Sequence, residues 1–295
     1  MLNVDNIDIF IGHKKIVKKA SFGAKSSEII GLVGPNGAGK TTIMKTILGL
    51  TKFKGNIWID KEKVTENNHH ALSEVGALIE HPAIYPFLTG LQNLELYSHD
   101  QNDMNQIVSM LQMDAYIKNA AKGYSLGMKQ KLGIAIALLN KPKLVILDEP
   151  MNGLDIEATI RVRKIIKRYA EQGTTFLISS HILSELQKVI TKIVLVNNGE
   201  IIVNQGINEF NKINRKTYKL DTEDNSQSKQ LFQENNISFS ESEDCLLVKQ
   251  ADLIKIQDVL YKNQVYLSEL SPIDANFEQL IVNILEKQRG QHNEK

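Results

Sequence analysis

The sequence predicts an α/β protein whose larger part is built on a mostly parallel sheet and whose smaller, C-terminal part is α+β. Three observations lead to this fold class. Apolar runs typical of buried strands alternate with segments of helical spacing up to about residue 210. A glycine-rich loop joins one of these strands to a helix, and apolar density falls near residue 213. Strands separated by helices require crossover connections, which pair strands in parallel.

The first half of the larger part begins as β-structure and becomes mainly helical. Residues 1–60 are rich in strand patterns, and residues 66–123 have mainly helical spacing. Within the second stretch, the apolar run Val75–Ile79 lies just before Pro82, where a strand would become a loop. The clearest elements are a buried strand at Glu28–Gly34, a helix at Ile43–Leu50 and a strand at Gly55–Asp60.

The second half of the larger part alternates more regularly. Met128–Leu139 is an apolar helix that ends before Pro142, because proline cannot continue a helix. The turn sequence Asn197-Asn198-Gly199 between two apolar runs predicts a β-hairpin. The remaining elements are a strand at Leu144–Leu147, a helix at Ile160–Gln172, a strand at Thr174–Ser179 and hairpin strands at Ile193–Val196 and Glu200–Val203.

Beyond residue 213 the pattern predicts a separate small domain. Strands at 217–222, 237–240, 245–249 and 264–270 and helices at 226–235 and 251–262 give the order β-α-β-β-α-β, a ferredoxin-like unit. A final helix is predicted to have Pro272 at its first position, with Ser271 and Asp274 forming a capping box. We therefore divide the chain into residues 1–213, residues 214–287 and a polar tail at 288–295 that we expect to be frayed.

Composition and charge exclude several classes of protein. Apolar residues make up 42% of the chain and charged residues 23%, as in an ordinary globular protein rather than a disordered one. The 35 Lys and Arg against 34 Asp and Glu give a net charge of +1, so no nucleic-acid partner is expected. The longest aliphatic run, Ile134–Leu139, is far shorter than the roughly 20 residues of a membrane-spanning helix. The single Cys245 excludes an internal disulfide. Together, these observations lead us to expect a soluble, cytosolic protein.

A phosphate-binding loop follows the first buried strand. The sequence from Gly34 to Thr41 fits G-x-x-x-x-G-K-[ST], the Walker A pattern, between a strand and a helix. Its glycines let successive backbone N–H groups point at phosphates, and the helix N-terminus adds partial positive charge. Lys40 can reach the β- and γ-phosphates, and the Thr41 hydroxyl can bind Mg²⁺. The residues expected to bind the nucleotide are Gly34, Pro35, Asn36, Gly37, Ala38, Gly39, Lys40, Thr41 and Thr42.

Two acidic residues follow a second buried strand, Leu144–Leu147. The strand delivers Asp148 to its carboxyl end, where the carboxylate can hold Mg²⁺. Glu149 can polarise an attacking water as a general base. An apolar run followed by Asp-Glu is weak evidence alone, but after a phosphate loop it strongly favours nucleotide hydrolysis.

With three further motifs, these residues resemble the ATP-binding subunits of ABC transporters. Tyr124-Ser125-Leu126-Gly127-Met128 stands where that family has its LSGGQ-like signature, 23 residues before Asp148. Asn152-Gly153-Leu154-Asp155 is similar to the family's D-loop. His181, which lies 32 residues after Glu149, is similar to its switch histidine. The resemblance extends over the larger part of the chain.

The resemblance implies a P-loop ABC-type nucleotide-binding domain with a RecA-like core, an antiparallel β subdomain and a helical subdomain. It implies ATP and Mg²⁺ as cofactors, a separate transmembrane permease as partner, and a head-to-tail dimer with a second ATP-binding subunit. Each ATP site would then join the phosphate loop of one subunit to the signature of the other. The residues to which the resemblance gives roles at these sites are Ser125, Gly127, Asp155 and His181, beside the general base Glu149 and the metal ligands Thr41 and Asp148.

The chain departs from the family at three places. The aromatic residue that usually stacks on adenine is replaced by Ile11, with Phe10 one residue earlier. The signature carries Leu126 and Met128 in place of glycine and glutamine. The Q-loop glutamine, a catalytic and metal-contacting residue, is replaced by Glu80. Glu80, the signature and the C-terminal unit resemble the branch that exports bacitracin-like antibiotics, lantibiotics and phenol-soluble modulins from Gram-positive bacteria.

Three functions compete at this point. The first is a transport ATPase at the cytoplasmic face of the membrane, bound to a permease through the groove around Glu80–Leu94. The second is a cytosolic, non-transport ABC ATPase that acts on a macromolecular complex, although translation-type members of that class usually carry two cassettes. The third is a binding module with an inactive site, against which the presence of Lys40, Asp148, Glu149 and His181 argues.

Overall fold

The computed structural model describes residues 1–65, 69–212, 217–242, 245–272 and 277–293. The chain divides into two compact units, Met1–Ile207 and Asn208–Lys295. The predicted boundary between residues 213 and 214 lies outside the described residues and stays a prediction.

The first unit contains a four-stranded antiparallel sheet. Its strands occur in the order β2-β1-β4-β5. They span Leu2–Ile11 (β1), Lys14–Ala24 (β2), Phe53–Ile59 (β4) and Glu62–Lys63 (β5). The predicted β-rich character of residues 1–60 is thereby confirmed, whereas β5 was not predicted.

A second, six-stranded sheet forms the centre of the first unit. Its order is β10-β9-β3-β8-β7-β6, and every neighbouring pair is parallel except the β9–β10 hairpin. All residues of β3, β7 and β8 are buried, as expected for parallel strands covered on both faces. The strands span Ile29–Val33 (β3), Val75–Leu78 (β6), Leu144–Leu147 (β7), Thr175–Ser179 (β8), Lys192–Asn197 (β9) and Glu200–Gly206 (β10).

Helices connect the strands of this sheet. They span Lys40–Ile47 (α1), Gly90–Glu95 (α2), Gln101–Met110 (α3), Leu126–Leu138 (α4), Ile156–Glu171 (α5) and Leu183–Gln187 (α6), while Ile207–Lys212 (α7) follows the last strand and, from Asn208 onward, belongs to the second unit. Four of them begin with a side chain that caps the helix, namely Thr89, Asp100, Ser125 and Asp155. The mainly helical spacing predicted for residues 66–123 corresponds to α2 and α3. Most of the predicted apolar run, Val75–Leu78, forms the edge strand β6.

The second unit has the predicted β-α-β-β-α-β order. Its antiparallel sheet is ordered β12-β13-β11-β14, and the helices α8 and α9 pack against it around Leu220, Phe232 and Leu246. The elements span Thr217–Thr222 (β11), Asn225–Glu234 (α8), Phe239–Ser242 (β12), Cys245–Lys249 (β13), Leu253–Lys262 (α9), Leu267–Pro272 (β14) and Phe277–Asn293 (α10).

The start and the end predicted for the final helix were wrong. Ser271 and Pro272 belong to β14, where they pair with Lys219 and Tyr218, so they do not begin the helix. Asp274, the third residue of the predicted capping box, lies outside the described residues. The helix continues to Asn293, through most of the segment expected to be a frayed tail. The apolar face is confirmed, because Phe277, Leu280 and Ile281 are buried.

Within the described ranges, no helix is long and apolar enough to cross a membrane.

Candidate active site

The phosphate loop connects the carboxyl end of β3 to the start of α1. Gly39 caps α1 with φ of 107°, a left-handed value that glycine adopts without steric cost. At Gly34 the loop passes so close to β9 that a Cβ would lie 2.1 Å from the Val196 carbonyl oxygen. Both positions therefore require glycine, and the predicted strand-loop-helix context is present.

Lys40, the first residue of α1, folds back over this loop. Its Nζ donates hydrogen bonds to the carbonyl oxygens of Gly34 at 2.7 Å and Pro35 at 3.1 Å. Burial lowers the pKa of Lys40, while the nearby charges of Glu149 and Asp148 act in the opposite direction. The loop thus presents a partly buried cation beside two carboxylates, as a site for a polyphosphate with its metal requires.

Asp148 is buried at the carboxyl end of β7, with 5% of its surface exposed. The Thr41 hydroxyl donates to its Oδ2 at 2.7 Å, and the Ser179 hydroxyl donates to its Oδ1. The structure therefore brings together Thr41 and Asp148, two of the three predicted protein ligands of Mg²⁺.

Glu149 follows Asp148 directly, just beyond the carboxyl end of β7. Its backbone has φ of 52°, an uncommon left-handed value for a residue with a side chain. The Ser179 hydroxyl accepts a hydrogen bond from the Glu149 N–H at 3.0 Å. At the other end of the residue, the Glu149 carboxylate accepts from the His181 N–H at 3.0 Å and lies 2.6 Å from His181 Nδ1. The predicted general base and switch histidine are thus in direct contact.

The signature segment begins helix α4. Ser125 caps this helix, and its hydroxyl accepts from the Met128 N–H at 3.2 Å. Gly127 packs against the D-loop so closely that a Cβ would lie 2.8 Å from the Gly153 carbonyl oxygen. Asp155 caps α5 and accepts from the Ala158 N–H at 2.7 Å. Ser125 and Asp155 therefore have structural roles within this chain, beside any contact with a partner.

Within the described part of the chain, neither Glu80 nor Ile11 shares a hydrogen bond with Asp148 or Glu149. Glu80 follows β6 with φ of 59°, and its Oε1 forms an ion pair with Lys45 Nζ of α1 at 2.7 Å. Ile11 ends β1 and is 58% exposed. The neighbouring Phe10 ring packs instead against the ammonium groups of Lys15 and Lys54, at 5.6 and 5.8 Å.

Three residues that contact the site were not predicted from the sequence. Ser179 binds both Asp148 and the backbone of Glu149. Gln130, buried in α4, donates from Nε2 to the Glu149 carbonyl oxygen at 3.0 Å. Lys45 pairs with Glu80. Only Ser179 carried a signal, since it is a polar residue at the end of a buried strand and directly precedes Ser180-His181.

Fold and site together define an ATPase of the P-loop class and the ABC type. The family model described as ABC transporter matches residues 17–152. The uncharacterized ABC transporter ATP-binding protein YhcH of Bacillus subtilis (strain 168) is 30% identical over 285 residues, covering 94% of this chain and 93% of that protein. The chain therefore belongs to the family of ABC transporter ATP-binding proteins, and it is an ATPase subunit.

Relatives with named substrates also match the chain. The bacitracin transport ATP-binding protein BcrA of Enterococcus faecalis is 35% identical over 231 residues, covering 76% of this chain and 75% of BcrA. The lantibiotic transport ATP-binding protein SrtF of Streptococcus pyogenes is 36% identical over 208 residues, covering 69% of this chain and 90% of SrtF. The sequence-based resemblance to this group of proteins is confirmed.

Solved structures confirm the fold class. The ATP binding subunit of an ABC transporter superimposes with a TM-score of 0.67 at 25% identity, over 72% of this chain and 92% of that chain. The ATP-binding cassette MJ0796, in a dimeric post-hydrolysis state bound to ADP and Pi, gives a TM-score of 0.64 at 21% identity. That match covers 70% of this chain and 99% of the cassette.

Proposed function

We propose that this chain hydrolyses ATP to power the export of antimicrobial or amphipathic peptides, or immunity to them, through a separate membrane permease. The observation that carries the proposal is a pair of contacts at the carboxyl end of the parallel strands. Thr41 hydrogen-bonds to Asp148, and the adjacent Glu149 contacts His181. The substrate class rests on the similarity to BcrA and SrtF, whose names give bacitracin and lantibiotic transport.

Hydrolysis uses the residues at the carboxyl edge of the parallel sheet. Glu149 takes a proton from water while the water oxygen bonds to the γ-phosphorus, and the bond to the β,γ-bridging oxygen breaks to give ADP and phosphate. His181 holds the Glu149 carboxylate in place and faces the γ-phosphate. Lys40 and the loop N–H groups stabilise the phosphate charge.

The Thr41 and Asp148 side chains fit a bound Mg²⁺. Both offer oxygen ligands, which Mg²⁺ prefers, and they already lie 2.7 Å apart. Mg²⁺ commonly uses one or two protein oxygens together with substrate phosphates and water, so this pair is sufficient. When bound, the ion neutralises charge that develops on the phosphates. Glu80 would add a third oxygen ligand only after leaving Lys45.

The permease would bind a surface on the loop between β6 and α2. Tyr85 and Phe87 lie in this loop with ring centroids 5.8 Å apart, and Phe87 is 74% exposed. Large exposed aromatic side chains are enriched at protein interfaces. The loop begins beside Glu80, so a partner bound there would be adjacent to the ATP site.

A second copy or a related subunit would complete the two ATP sites. Leu126 follows the signature serine, Ile156 follows Asp155, and both apolar side chains are exposed. Association through this region would cover them and place Ser125 and Gly127 of one subunit against the phosphates of the other. The assembled complex would lie at the cytoplasmic face of the membrane, attached only through the permease.

The proposal can be tested in a peptide-sensitive Gram-positive host. The chain is expressed with a candidate permease, and the minimal inhibitory concentrations of bacitracin and a lantibiotic are measured. Resistance that is lost with Lys40→Ala but kept with the exposed-lysine control Lys118→Ala supports transport. Resistance that survives Lys40→Ala overturns the coupling to ATP hydrolysis.

The second candidate function is a cytosolic ABC ATPase that acts on a macromolecular complex. The exposed pair Tyr85 and Phe87 favours a protein partner but does not require that partner to be in a membrane. Fractionation with and without the permease separates the two functions. Recovery in membranes only when the permease is present supports transport, and a cytosolic distribution in both cases supports the alternative.

A further inference from the structure

The backbone of Glu149 is held by side chains from two different elements. Ser179, at the end of β8, accepts from the Glu149 N–H at 3.0 Å. Gln130, in α4, donates to the Glu149 carbonyl oxygen at 3.0 Å. Because Glu149 has the uncommon φ of 52°, these two bonds help to hold a conformation that most residues avoid.

The carbonyl oxygen of Glu149 also starts the loop that follows. It accepts a hydrogen bond from the Asn152 N–H at 3.1 Å. The same oxygen therefore accepts hydrogen bonds from both the Gln130 side chain and the backbone of the D-loop. Gln130 is 5% exposed, and its amide is therefore shielded from competing water. Losing this bond would free the peptide that sets the direction of the Glu149 side chain.

A second contact joins the same two segments. The first turn of α4 lies against the D-loop, where a Cβ on Gly153 would lie 2.5 Å from Leu126 Cδ2. A Cβ on Gly127 would lie 2.8 Å from the Gly153 carbonyl oxygen. The start of α4 and the loop after Glu149 are thus packed without space between them, and a shift of one displaces the other.

We propose that Gln130 is a positioning residue that couples helix α4 to Glu149 of the same chain. Ser125, five residues earlier, caps the same helix. Contact of Ser125 with a nucleotide held mainly by the partner subunit would move α4 and, through Gln130, the Glu149 backbone. The geometry thereby links occupancy of one ATP site to the alignment of the general base in the other; this link rests on the proposed dimeric function.

Two variants of Gln130 test this role in the full-length chain. Gln130→Met keeps the length of the side chain but removes the donor, and Gln130→Glu replaces the donor by an acceptor that repels the carbonyl oxygen. The matched control is Thr174→Val, which removes another buried hydrogen bond to a carbonyl oxygen, that of Pro142 at 2.9 Å, at the opposite end of β8. For each protein, kcat and KM for ATP are measured together with hydrogen exchange at the Asn152 amide.

We expect kcat to fall about 3- to 10-fold for Gln130→Met and further for Gln130→Glu, because one net hydrogen bond corresponds to that range. KM should stay within about twofold, and exchange at Asn152 should accelerate. If Gln130→Met matches Thr174→Val in both kcat and exchange, the positioning role is overturned. A parallel rise in KM would also overturn it, since that result indicates lost binding.

The exchange measurement keeps this inference separate from the proposed function. If the unmodified chain hydrolysed no ATP, the proposed function would fail. Exchange at Asn152 needs no turnover, and unchanged exchange in Gln130→Met would still refute the link between α4 and the Glu149 backbone. A Hill coefficient for ATP that falls toward one in Gln130→Met, but not in Thr174→Val, supports the link between sites.

Discussion

At the scale of single residues, the carboxylate of Glu149 faces its histidine partner across 2.6 Å. Replacement of a general base removes about 10²–10⁴-fold of rate. We expect Glu149→Gln to abolish measurable turnover while ATP stays bound, because the phosphate loop is untouched. Steady-state hydrolysis and binding of a fluorescent ATP analogue check this. Glu157→Gln, an exposed glutamate in the first turn of α5, is the control, and near-normal turnover by Glu149→Gln would reject the assignment.

Glu80 carries a second prediction at this scale. Its ion pair with Lys45 is solvent-exposed and therefore weak, so the carboxylate can leave Lys45 for a metal. We expect Glu80→Ala to shift the Mg²⁺ dependence of hydrolysis to higher Mg²⁺ and to uncouple hydrolysis from the permease. Glu80→Gln should be milder, since glutamine is the family's usual residue at this place.

A Mg²⁺ titration with and without the permease measures both effects of Glu80. The matched control is Glu74→Ala, which removes another exposed, ion-paired glutamate at the amino end of the same strand. If the curves of Glu80→Ala overlay those of the unmodified chain in both settings, Glu80 is a solvated loop acid with no part in the reaction.

The site residues that could be predicted from the sequence are those that belong to a short local motif. Lys40, Thr41, Asp148 and Glu149 follow strands within two short segments, so their convergence follows from parallel-sheet topology. The contacts of Gln130 and Lys45 depend instead on which turn of a helix faces a distant loop. Tertiary packing decides which turn faces the loop, and the spacing of residues in the sequence does not reveal it.

At the scale of elements, α4 packs directly on the edge strand β6. A Cβ on Gly76 would lie 1.8 Å from the Ala137 carbonyl oxygen, so the strand and the helix touch through backbone. We expect Gly76→Ala to cost about 1–3 kcal/mol in free energy of unfolding, the usual range for overpacking. Thermal unfolding measures this, with Gly123→Ala as control because a Cβ at that position would meet no heavy atom within 4 Å. Equal melting temperatures for the two variants would contradict this direct contact.

Elements were predicted best where the chain carries long apolar runs. The strands β3, β7 and β8 are buried throughout, and their sequences are continuous in apolar residues. The start of the final helix was predicted wrongly because Ser271 and Pro272 form a plausible local cap, whereas pairing with β11 places them in a strand. Long-range strand pairing overrode a local preference there.

At the scale of the whole molecule, each unit has a hydrophobic core of its own. The core of the first unit includes Ile7, Leu32 and Met44, and that of the second includes Leu220, Phe232 and Leu246. The residues predicted to contact the nucleotide or its metal all precede residue 182. The residues predicted for ATP hydrolysis therefore lie in the first unit. We expect this unit to keep its function when the second unit is removed.

We predict that a fragment of residues 1–207 binds and hydrolyses ATP without the second unit. The cut follows β10 and keeps the bond from the Ile207 N–H to the Thr191 carbonyl oxygen, at 2.9 Å. A fragment of residues 1–212 should be less soluble, because it retains Phe210 but loses Phe277, whose ring centroid lies 5.6 Å away. Phe210→Ser in the longer fragment should restore solubility, as judged by size-exclusion chromatography. A monodisperse, folded 1–207 fragment without ATP binding would show that the second unit takes part in the nucleotide site.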